Sequence, residues 1–412
     1  MKEEHKQVRK QSRQLTKEAR KDKEIKIYKL KVDRSHLSKQ RYQHLKMLFV
    51  EAKWIYNYML ANECIFDYDY KNKEIQVKNK DGNIEDRKLQ YLSAQMRQAY
   101  VDKVRKNIYN LSKAKKKGRK VGKLKFKSEV NCTPLKQYGA TYRIVSKNRV
   151  KIQGIKIPIR VRGIQQLGDY ENADIANAQL IKVIDDFYIH VTVYEEPKEH
   201  IETGKRVGLD LGIKDSVVTS DGVKYGVKIP ESNALKRRQR ELAKKQKGSR
   251  NRFKAKKKLN KEYNRIKNQK NDKANKIINS LSTEYDFIAF QDENIKAWHS
   301  GLFGKSVQIS VLGRIKSGLK RKPETAYMVD QLFPSTKLCP KCGKVKEGIT
   351  LADRIFWCEC GYIEDRDTKA AKTILLEALD KTGMERISSK LVESVLATSK
   401  NVSTVKQEAN VL

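Results

Sequence analysis

Apolar and polar residues follow two different periods along the first half of the chain. Residues 25–32 alternate with a period of two, which is typical of a half-buried strand. The apolar positions then change to a helical spacing and predict a helix from about 38 to 62. The period of two returns over 142–195, where it predicts several short strands. We expect residues 25–200 to form a small β-barrel, with a helical insertion at about 36–128.

A second domain is predicted over residues 201–334. It begins with apolar strands, continues through a basic helical hairpin at 235–281 that Gly248 and Ser249 divide, and contains a further apolar strand at 286–295. Residues 1–24 are rich in charge and nearly free of apolar side chains, so we expect a basic flexible arm there. Residues 381–412 have weak periodicity and are expected to be a C-terminal tail, to which no role is assigned.

The chain carries a large positive charge. Its 412 residues include 90 Lys or Arg and 49 Asp or Glu, so the formal net charge is 90 − 49 = +41. A surplus of this size favours a polyanionic partner, because each neutralised phosphate releases condensed counterions. The densest basic segments are 112–128 and 236–276. We therefore expect nucleic acid as the partner and no membrane, since no stripe of large apolar side chains accompanies these segments.

The sequence also limits where the protein is expected to act. No window is long and apolar enough for a membrane-spanning helix, and the amino-terminal residues lack the apolar centre of a secretion signal. The expected location is the cytoplasm of a bacterial-type cell, in association with the nucleoid when the protein is bound to DNA.

Four of the six cysteines lie close together as two pairs, Cys339 with Cys342 and Cys358 with Cys360, each pair followed by glycine. In a cytosolic chain such a cluster indicates metal binding, because a disulfide framework would not persist there. Four thiolates close a tetrahedral shell around Zn²⁺ and leave no open position. We therefore predict a structural zinc ribbon over residues 335–364. The alternative is redox chemistry, but no thioredoxin-like sequence surrounds either pair.

Separated acidic residues suggest a second site. Asp210 lies in an apolar strand, whose centre does not normally accept an unpaired acid. The predicted strand at 286–295 ends in Asp292 and Glu293. Asp367 lies at the start of a predicted helix, where an acid is also a common N-cap. If these segments converge, their carboxylates would suit Mg²⁺, and two ions about 3.5–4 Å apart can hydrolyse a phosphodiester. Nuclease chemistry is therefore our hypothesis.

The order of these motifs resembles TnpB, the transposon-encoded RNA-guided nuclease, and is similar to the miniature type V CRISPR effectors. The segments that carry the resemblance are Gly-Leu-Asp-Leu-Gly-Ile-Lys-Asp, the basic hairpin, Phe-Gln-Asp-Glu-Asn-Ile, and the cysteine ribbon directly before Asp-Arg-Asp-Thr-Lys-Ala-Ala. The resemblance implies a multidomain α+β protein, in which a wedge β-barrel with a helical recognition insertion precedes a RuvC domain. That domain is RNase H-like α/β, with the zinc ribbon inserted before its last segment at 365–380.

The same resemblance implies an RNA-guided DNA endonuclease. Such a protein binds a guide RNA, recognises a target in double-stranded DNA beside a short adjacent motif, and cuts the DNA. The catalytic residues implied are Asp210, Glu293 and Asp367, which would also bind two Mg²⁺ ions. The guide RNA, the adjacent motif, an origin in a transposon or a CRISPR locus, and the choice between monomer and homodimer stay open.

Two positions depart from the usual TnpB pattern. Gln291 lies where TnpB usually has glutamate, and Lys369 lies where the family often has asparagine. Because alternate strand residues share a face, Glu293 is expected to reach the ions in place of residue 291, and Asp292 is expected to point away. The departure at Gln291 leaves open a nuclease-inactive guided DNA-binding protein that acts as a repressor. A further alternative is an unguided nucleic-acid-binding protein with a zinc ribbon.

Overall fold

The structure is a computed structural model, and it describes residues 2–79, 81–197, 201–322, 324–350 and 352–384. The chain divides into two compact units, Met1–Glu199 and His200–Leu412. This division falls where the sequence pattern changes. Of the predicted C-terminal tail, residues 385–412 lie outside the described part of the chain. Among the described helices, none combines the length and the apolar character that crossing a membrane requires.

The first unit contains a seven-stranded antiparallel sheet with helices inserted after its first strand. Its elements are α1 (Lys2–Ala19), β1 (Glu24–Val32), α2 (Lys39–Ala61), β2 (Glu74–Lys78), β3 (Ile84–Lys88), α3 (Ala94–Lys116), β4 (Cys132–Leu135), β5 (Tyr142–Ser146), β6 (Arg149–Ile152), β7 (Ile159–Arg162), β8 (Asp174–Val183) and β9 (Asp186–Glu195). The strand order is β4-β8-β9-β1-β7-β6-β5. The sheet is nearly closed into a barrel, and α2 and α3 belong to an insertion between β1 and β4, as the sequence pattern predicts.

The segment 1–24 differs from its prediction as a flexible arm, because it contains helix α1. Arg20, just beyond the helix, donates a 3.0 Å hydrogen bond from Nε to Oδ2 of Asp174 at the start of β8. Its guanidinium also lies 4.4 Å from the ring centroid of Tyr194. These contacts anchor the end of the segment to the barrel. The sequence pattern does not reveal them, because the paired residues lie 154 positions apart.

A buried carboxylate holds the helical insertion together. Glu51 of α2 is 0% exposed, and its two oxygens accept hydrogen bonds of 2.6–3.1 Å from three consecutive backbone N–H groups. The donors are those of Gln90, Tyr91 and Leu92. These N–H groups precede α3, so the carboxylate fixes the connection between α3 and α2.

Glu51→Gln is expected to destabilise this insertion by about 2–3 kcal/mol, because the new amide nitrogen would face backbone donors that lose their acceptor. Hydrogen exchange of peptides from α2 and α3 measures the effect, and it should become at least tenfold faster than in the unchanged protein. Glu74→Gln, at an exposed position in β2, provides the control. Equal exchange in both variants would contradict the role given to the Glu51 carboxylate.

The second unit is built around a five-stranded mixed sheet. Its elements are β10 (Arg206–Asp210), β11 (Val217–Thr219), β12 (Lys224–Tyr225), α4 (Asn233–Ala243), α5 (Arg250–Glu284), β13 (Phe287–Gln291), α6 (Ile295–Ser300), α7 (Gly304–Ile309), α8 (Leu312–Leu319), β14 (Ala326–Val329), β15 (Ile355–Trp357), β16 (Ile363–Asp365) and α9 (Arg366–Thr382). The strand order is β12-β11-β10-β13-β14, in which β10, β13 and β14 are parallel. Helices α4 and α5 form the basic hairpin, and Ser249 is the N-cap of α5.

Helices cover both faces of this sheet. Alternate residues of β10 and β13 pack against α5 and α8 on one face, where the buried cluster contains Val207, Leu209, Ile288, Phe290, Leu281 and Ile315. On the opposite face, Phe287 and Ala289 of β13 pack with Ile374 and Ala378 of α9. Because side chains alternate along a strand, Gly208 and Asp210 share the face of β10 that α9 covers.

Candidate carboxylate site and cysteine ribbon

The close packing of α9 on β10 sets the positions of two predicted acids. A Cβ atom at Gly208 would lie 1.9 Å from the carbonyl oxygen of Ala371, so only glycine fits where the helix crosses the strand. Asp210 lies two residues farther along the strand, on the same face. Asp367 lies one helical turn before Ala371, on the same side of α9. The packing at Gly208 therefore brings Asp210 and Asp367 towards each other.

Glu293 reaches this region from a different local structure than predicted. Strand β13 ends at Gln291, and Glu293 lies in the turn beyond it, where its N–H donates to the carbonyl oxygen of Gln291 at 2.9 Å. The strand ends early because Asn294 caps α6, accepting a 3.0 Å hydrogen bond from the N–H of Ala297. The predicted strand alternation is therefore wrong at Glu293, because the strand ends at Gln291 and the turn beyond it orients the Glu293 carboxylate.

The neighbouring acid Asp292 has a different partner. Its carboxylate forms an ion pair with Lys316 of α8, and the ammonium of Lys316 also donates to the carbonyl oxygen of Glu293 at 2.6 Å. The ion pair lowers the pKa of Asp292, chiefly through the hydrogen bond from Lys316. Lys316 thus holds Asp292 against α8 and braces the turn that carries Glu293.

The charges of Asp367 and Glu293 both act on Asp210. The pKa of Asp210 is raised to about 7, first by burial and then by the negative charges of Asp367 and Glu293. Burial also raises the pKa of Glu293. A cation bound among these carboxylates would relieve the repulsion. In the described residues their oxygens do not all come within 4.8 Å of one another, so they do not form a closed cage for a single ion.

Two basic residues of α9 belong to the same environment. Arg366 donates from Nη2 to Oδ1 of Asp367 at 3.2 Å, and both Arg366 and Lys369 lower the pKa of Asp210. Lys369 was predicted only as a departure from the family pattern near Asp367, and Arg366 was not predicted to belong to the site, although it precedes Asp367 directly in sequence. The N-cap alternative for Asp367 is also resolved, because Asp365 caps α9 by accepting from the N–H groups of Asp367 and Thr368, both at 3.1 Å.

The four predicted cysteines come together in the ribbon. Their Sγ atoms all lie within 4.8 Å of one another, and the Cys339–Cys360 and Cys342–Cys358 sulfur pairs are both 3.6 Å apart. A Zn–S bond of about 2.3 Å in a tetrahedron places sulfurs about 3.8 Å apart, so both donor type and spacing fit Zn²⁺. The pKa shifts within the cluster oppose one another. The backbone N–H of Lys344 is the first cause that lowers the pKa of Cys342 to about 7, whereas burial raises the pKa of Cys339 to about 12.

Glycines make the two cysteine turns possible. Gly343 and Gly361 follow the cysteine pairs with φ angles of 71° and 83°, in the left-handed region that a side chain disfavours. The apolar core of the ribbon is small and consists of Cys339, Phe356 and Tyr362. A ribbon with so few apolar contacts is expected to need its metal for stability.

We expect the purified protein to contain one zinc ion per chain. Cys342→Ser should lose this ion and make hydrogen exchange of peptides from 335–364 at least tenfold faster, because a ligand of the closed shell is missing. Elemental analysis and hydrogen exchange provide the two measurements. Cys64→Ser, outside the cluster, is the control and should keep both the zinc and the protection. Unchanged zinc content in Cys342→Ser would contradict the assignment.

Comparisons with known proteins find one match to the segment that carries Asp210 and Glu293 and another to the segment that carries the ribbon and Asp367. The OrfB family model of IS605 elements, described as "Probable transposase", matches residues 188–298, which include Asp210 and Glu293. The model described as "Cas12f1-like, TNB domain" matches residues 314–374, which include the four cysteines and Asp367. The two matches support a TnpB-like family. They lie along the chain in the order that the sequence motifs indicate.

The chain is also 31% identical, over 185 residues, to a curated protein of Streptomyces pristinaespiralis named "Putative RNA-guided DNA endonuclease". The match covers 43% of this chain and 46% of that relative, so it spans about half the length of the relative. A solved structure titled "Cryo-EM structure of the Cas12f1-sgRNA-target DNA complex" is similar to this chain with a TM-score of 0.45 and 14% identity, over 82% of this chain and 80% of that chain.

Proposed function

We propose that this protein is an RNA-guided DNA endonuclease that hydrolyses phosphodiester bonds of a target beside a short adjacent motif. The observation that carries the proposal is the close packing of α9 on β10 at Gly208, which brings Asp210 and Asp367 towards each other. The pKa of Asp210 agrees with this packing, because it is raised first by burial and then by the charges of Asp367 and Glu293. Acids from three distant segments thereby act on one another at the carboxyl end of β10. A nuclease needs such a set of hard oxygen ligands to bind its metal ions. A protein that only binds nucleic acid gains nothing from buried carboxylates that repel one another.

The proposed catalytic domain is a RuvC domain of RNase H-like fold, formed by the sheet of the second unit and by α9. Asp210, Glu293 and Asp367 would hold Mg²⁺, which supplies an activated water and stabilises the leaving oxygen when bound. Arg366 orients Asp367 through their hydrogen bonds, and Lys316 braces the turn that carries Glu293. Burial of Asp210 strengthens its interaction with a cation by limiting screening from water.

The charge of the protein supports RNA and DNA as partners. Most of segment 112–128 is exposed, and α5 buries a narrow apolar stripe while its basic side chains are largely exposed. Such surfaces neutralise phosphates without reading base sequence, so sequence recognition would come from guide RNA paired with the target strand. The name of the Streptomyces relative supports the same activity. We propose a cytoplasmic location, and leave the choice between monomer and homodimer to measurement.

A second candidate is a guided DNA-binding protein that does not cut. Gln291 favours it, because the last residue of β13 is an amide and not a carboxylate. Gln291 is 4% exposed, and its side chain is occupied with hydrogen bonds to the protein. In this candidate, Asp210, Glu293 and Asp367 would not support hydrolysis, and the bound ribonucleoprotein would act as a repressor.

One experiment separates these candidates. The full chain is purified with the RNA that accompanies it, the RNA is sequenced, and the complex is programmed against a plasmid with a randomised segment beside the target. A discrete structured RNA together with Mg²⁺-dependent cutting of the matched plasmid supports the endonuclease. A discrete RNA with target binding but no cutting supports the repressor. Heterogeneous RNA without target-dependent binding would overturn guidance altogether.

A further inference from the structure

Residues 330–338 join β14 to the first cysteine of the ribbon, and we call them the linker. Gln291, the last residue of β13, contacts the linker with both ends of its amide. Its Oε1 accepts from Oγ of Ser335 at 2.8 Å, and the two hydrogens of its Nε2 are shared among three backbone carbonyl oxygens at 2.7–3.1 Å. These carbonyls belong to Asp330, Gln331 and Phe333.

Lys369 of α9 binds the remaining part of the linker in the same way. It is 0% exposed, and its ammonium donates to the backbone carbonyl oxygens of Ser335, Thr336 and Leu338. Three donor hydrogens thus meet three acceptors. The same ammonium lies 4.0 Å from the ring centroid of Phe356, in the core of the ribbon. Lys369 therefore contacts both the linker and the ribbon from the helix that carries Asp367.

Together the two side chains bind six backbone carbonyls within nine consecutive residues. Each of the two residues is close in sequence to a predicted catalytic acid. Gln291 is two positions before Glu293, and Lys369 is two positions after Asp367. At its other end the linker leads directly into the zinc ligand Cys339. The two side chains therefore form a hydrogen-bonded connection from the end of β13 and the first turn of α9 to the base of the ribbon, beside the hydrogen bond that Arg366 donates to the carbonyl oxygen of Thr350.

We propose that Gln291 and Lys369 are positioning residues that couple zinc binding in the ribbon to cation binding at the carboxylate site. An ordered ribbon fixes the linker, and the linker restrains the end of β13 and the first turn of α9, which limits how far Glu293 and Asp367 can move apart when a cation binds. The proposal rests on the proposed function, because it takes Asp210, Glu293 and Asp367 as a cation site. Linkage makes the effect reciprocal, so a cation at the carboxylates strengthens zinc binding by the same factor.

Manganese binding to the full chain tests the coupling. Mn²⁺ affinity is measured by electron paramagnetic resonance on zinc-loaded protein and on protein from which zinc has been removed. We expect zinc removal to weaken Mn²⁺ binding by about tenfold, within the range typical of coupled sites. In Gln291→Leu and in Lys369→Met, the dependence on zinc should fall below about twofold, and the zinc-loaded variants should bind Mn²⁺ about as weakly as the zinc-free protein.

Lys270→Met is the matched control. Lys270 is another buried lysine of the second unit, and it also donates to a backbone carbonyl, that of Gln308, but it does not contact the linker. Its variant should keep the full dependence on zinc. If Lys369→Met fails to fold, as judged by hydrogen exchange of β10 and β13, then Gln291→Leu alone decides the question, since it removes no charge.

Three results would overturn the proposal, and they have different meanings. Equal Mn²⁺ affinity with and without zinc would remove the coupling but leave the carboxylate site intact. Full coupling in both variants would show that another route connects the two sites. Absence of any Mn²⁺ binding that Asp210→Ala abolishes would remove the carboxylate site itself, and the proposed endonuclease function would fail with it.

Discussion

Replacing Asp210 with alanine is expected to slow cleavage of a matched target by about 1000-fold or more, which corresponds to about 4 kcal/mol of lost transition-state stabilisation. Burial and the charges of Asp367 and Glu293 together raise the pKa of Asp210. Removing its carboxylate therefore removes the central ligand of the proposed cation site. Binding of guide RNA and target DNA should change by less than about twofold, because we propose that the basic surfaces, and not the carboxylates, provide that binding. Single-turnover cleavage and equilibrium binding provide the measurements.

Asp292→Asn is the matched control for this prediction. Asp292 lies beside Glu293 in sequence, but its carboxylate pairs with Lys316 and is not among the causes of the raised pKa of Asp210. The pKa of Glu293 is raised chiefly by burial, and the charge of Asp292 is a smaller cause, so a modest effect on cutting is expected. Its variant should cut within about fivefold of the unchanged protein. Undiminished cutting by Asp210→Ala would contradict the role of this acid. A folded Asp210→Ala variant that no longer bound RNA would also contradict it.

Gly208→Ala is expected to destabilise the second unit by about 3 kcal/mol and to abolish cleavage. The new Cβ would overlap the carbonyl oxygen of Ala371, and a backbone atom cannot move aside as the end of a side chain can. Helix α9 would have to withdraw from β10, which would separate Asp367 from Asp210. Urea unfolding and the cleavage assay measure the two effects.

Gly313→Ala gives the control for this substitution. Gly313 lies in α8, and a Cβ there would meet no atom within 4 Å. Alanine in a helix is favoured over glycine by about 0.5–1 kcal/mol, so this variant should be as stable as the unchanged protein or slightly more stable. If Gly208→Ala behaved like Gly313→Ala, the close packing of α9 on β10 would be disproved.

The elements with one buried face were predictable from sequence. Strand 25–32 and helix 38–62 agree within a residue or two with β1 and α2, because burial of one face leaves a clear period in the apolar positions. The hairpin of β2 and β3 was not predicted. Most of its side chains are exposed, so the sequence shows no alternation of apolar and polar residues there. Asp81 and Gly82 in its turn are the only local signal of a hairpin.

The residues of the candidate site were predictable from the sequence, but their arrangement in space was less so. Cys339 and its three partners were identified by spacing, and Asp210 by its unusual place in an apolar strand. The end of β13 at Gln291 was not predicted, because the cap at Asn294 that begins α6 overrides strand alternation. A glutamate at position 291 would place a carboxylate oxygen, which cannot donate, against three carbonyl oxygens of the linker. The amide of Gln291 can donate to them, so it fits the linker independently of any effect on cutting.

The sequence by itself determined the order of the elements with one buried face, the ribbon cysteines, the basic surfaces and the acids that are candidates for catalysis. These features depend on residue type and on spacing over a few positions, and both can be read along the chain. Only the tertiary structure decided that α9 touches β10 at Gly208, that Arg366 and Lys369 act on Asp210, and that Gln291 and Lys369 bind the linker. Such contacts join residues tens to more than a hundred positions apart, and close packing selects them, since local periodicity carries no record of which surfaces meet.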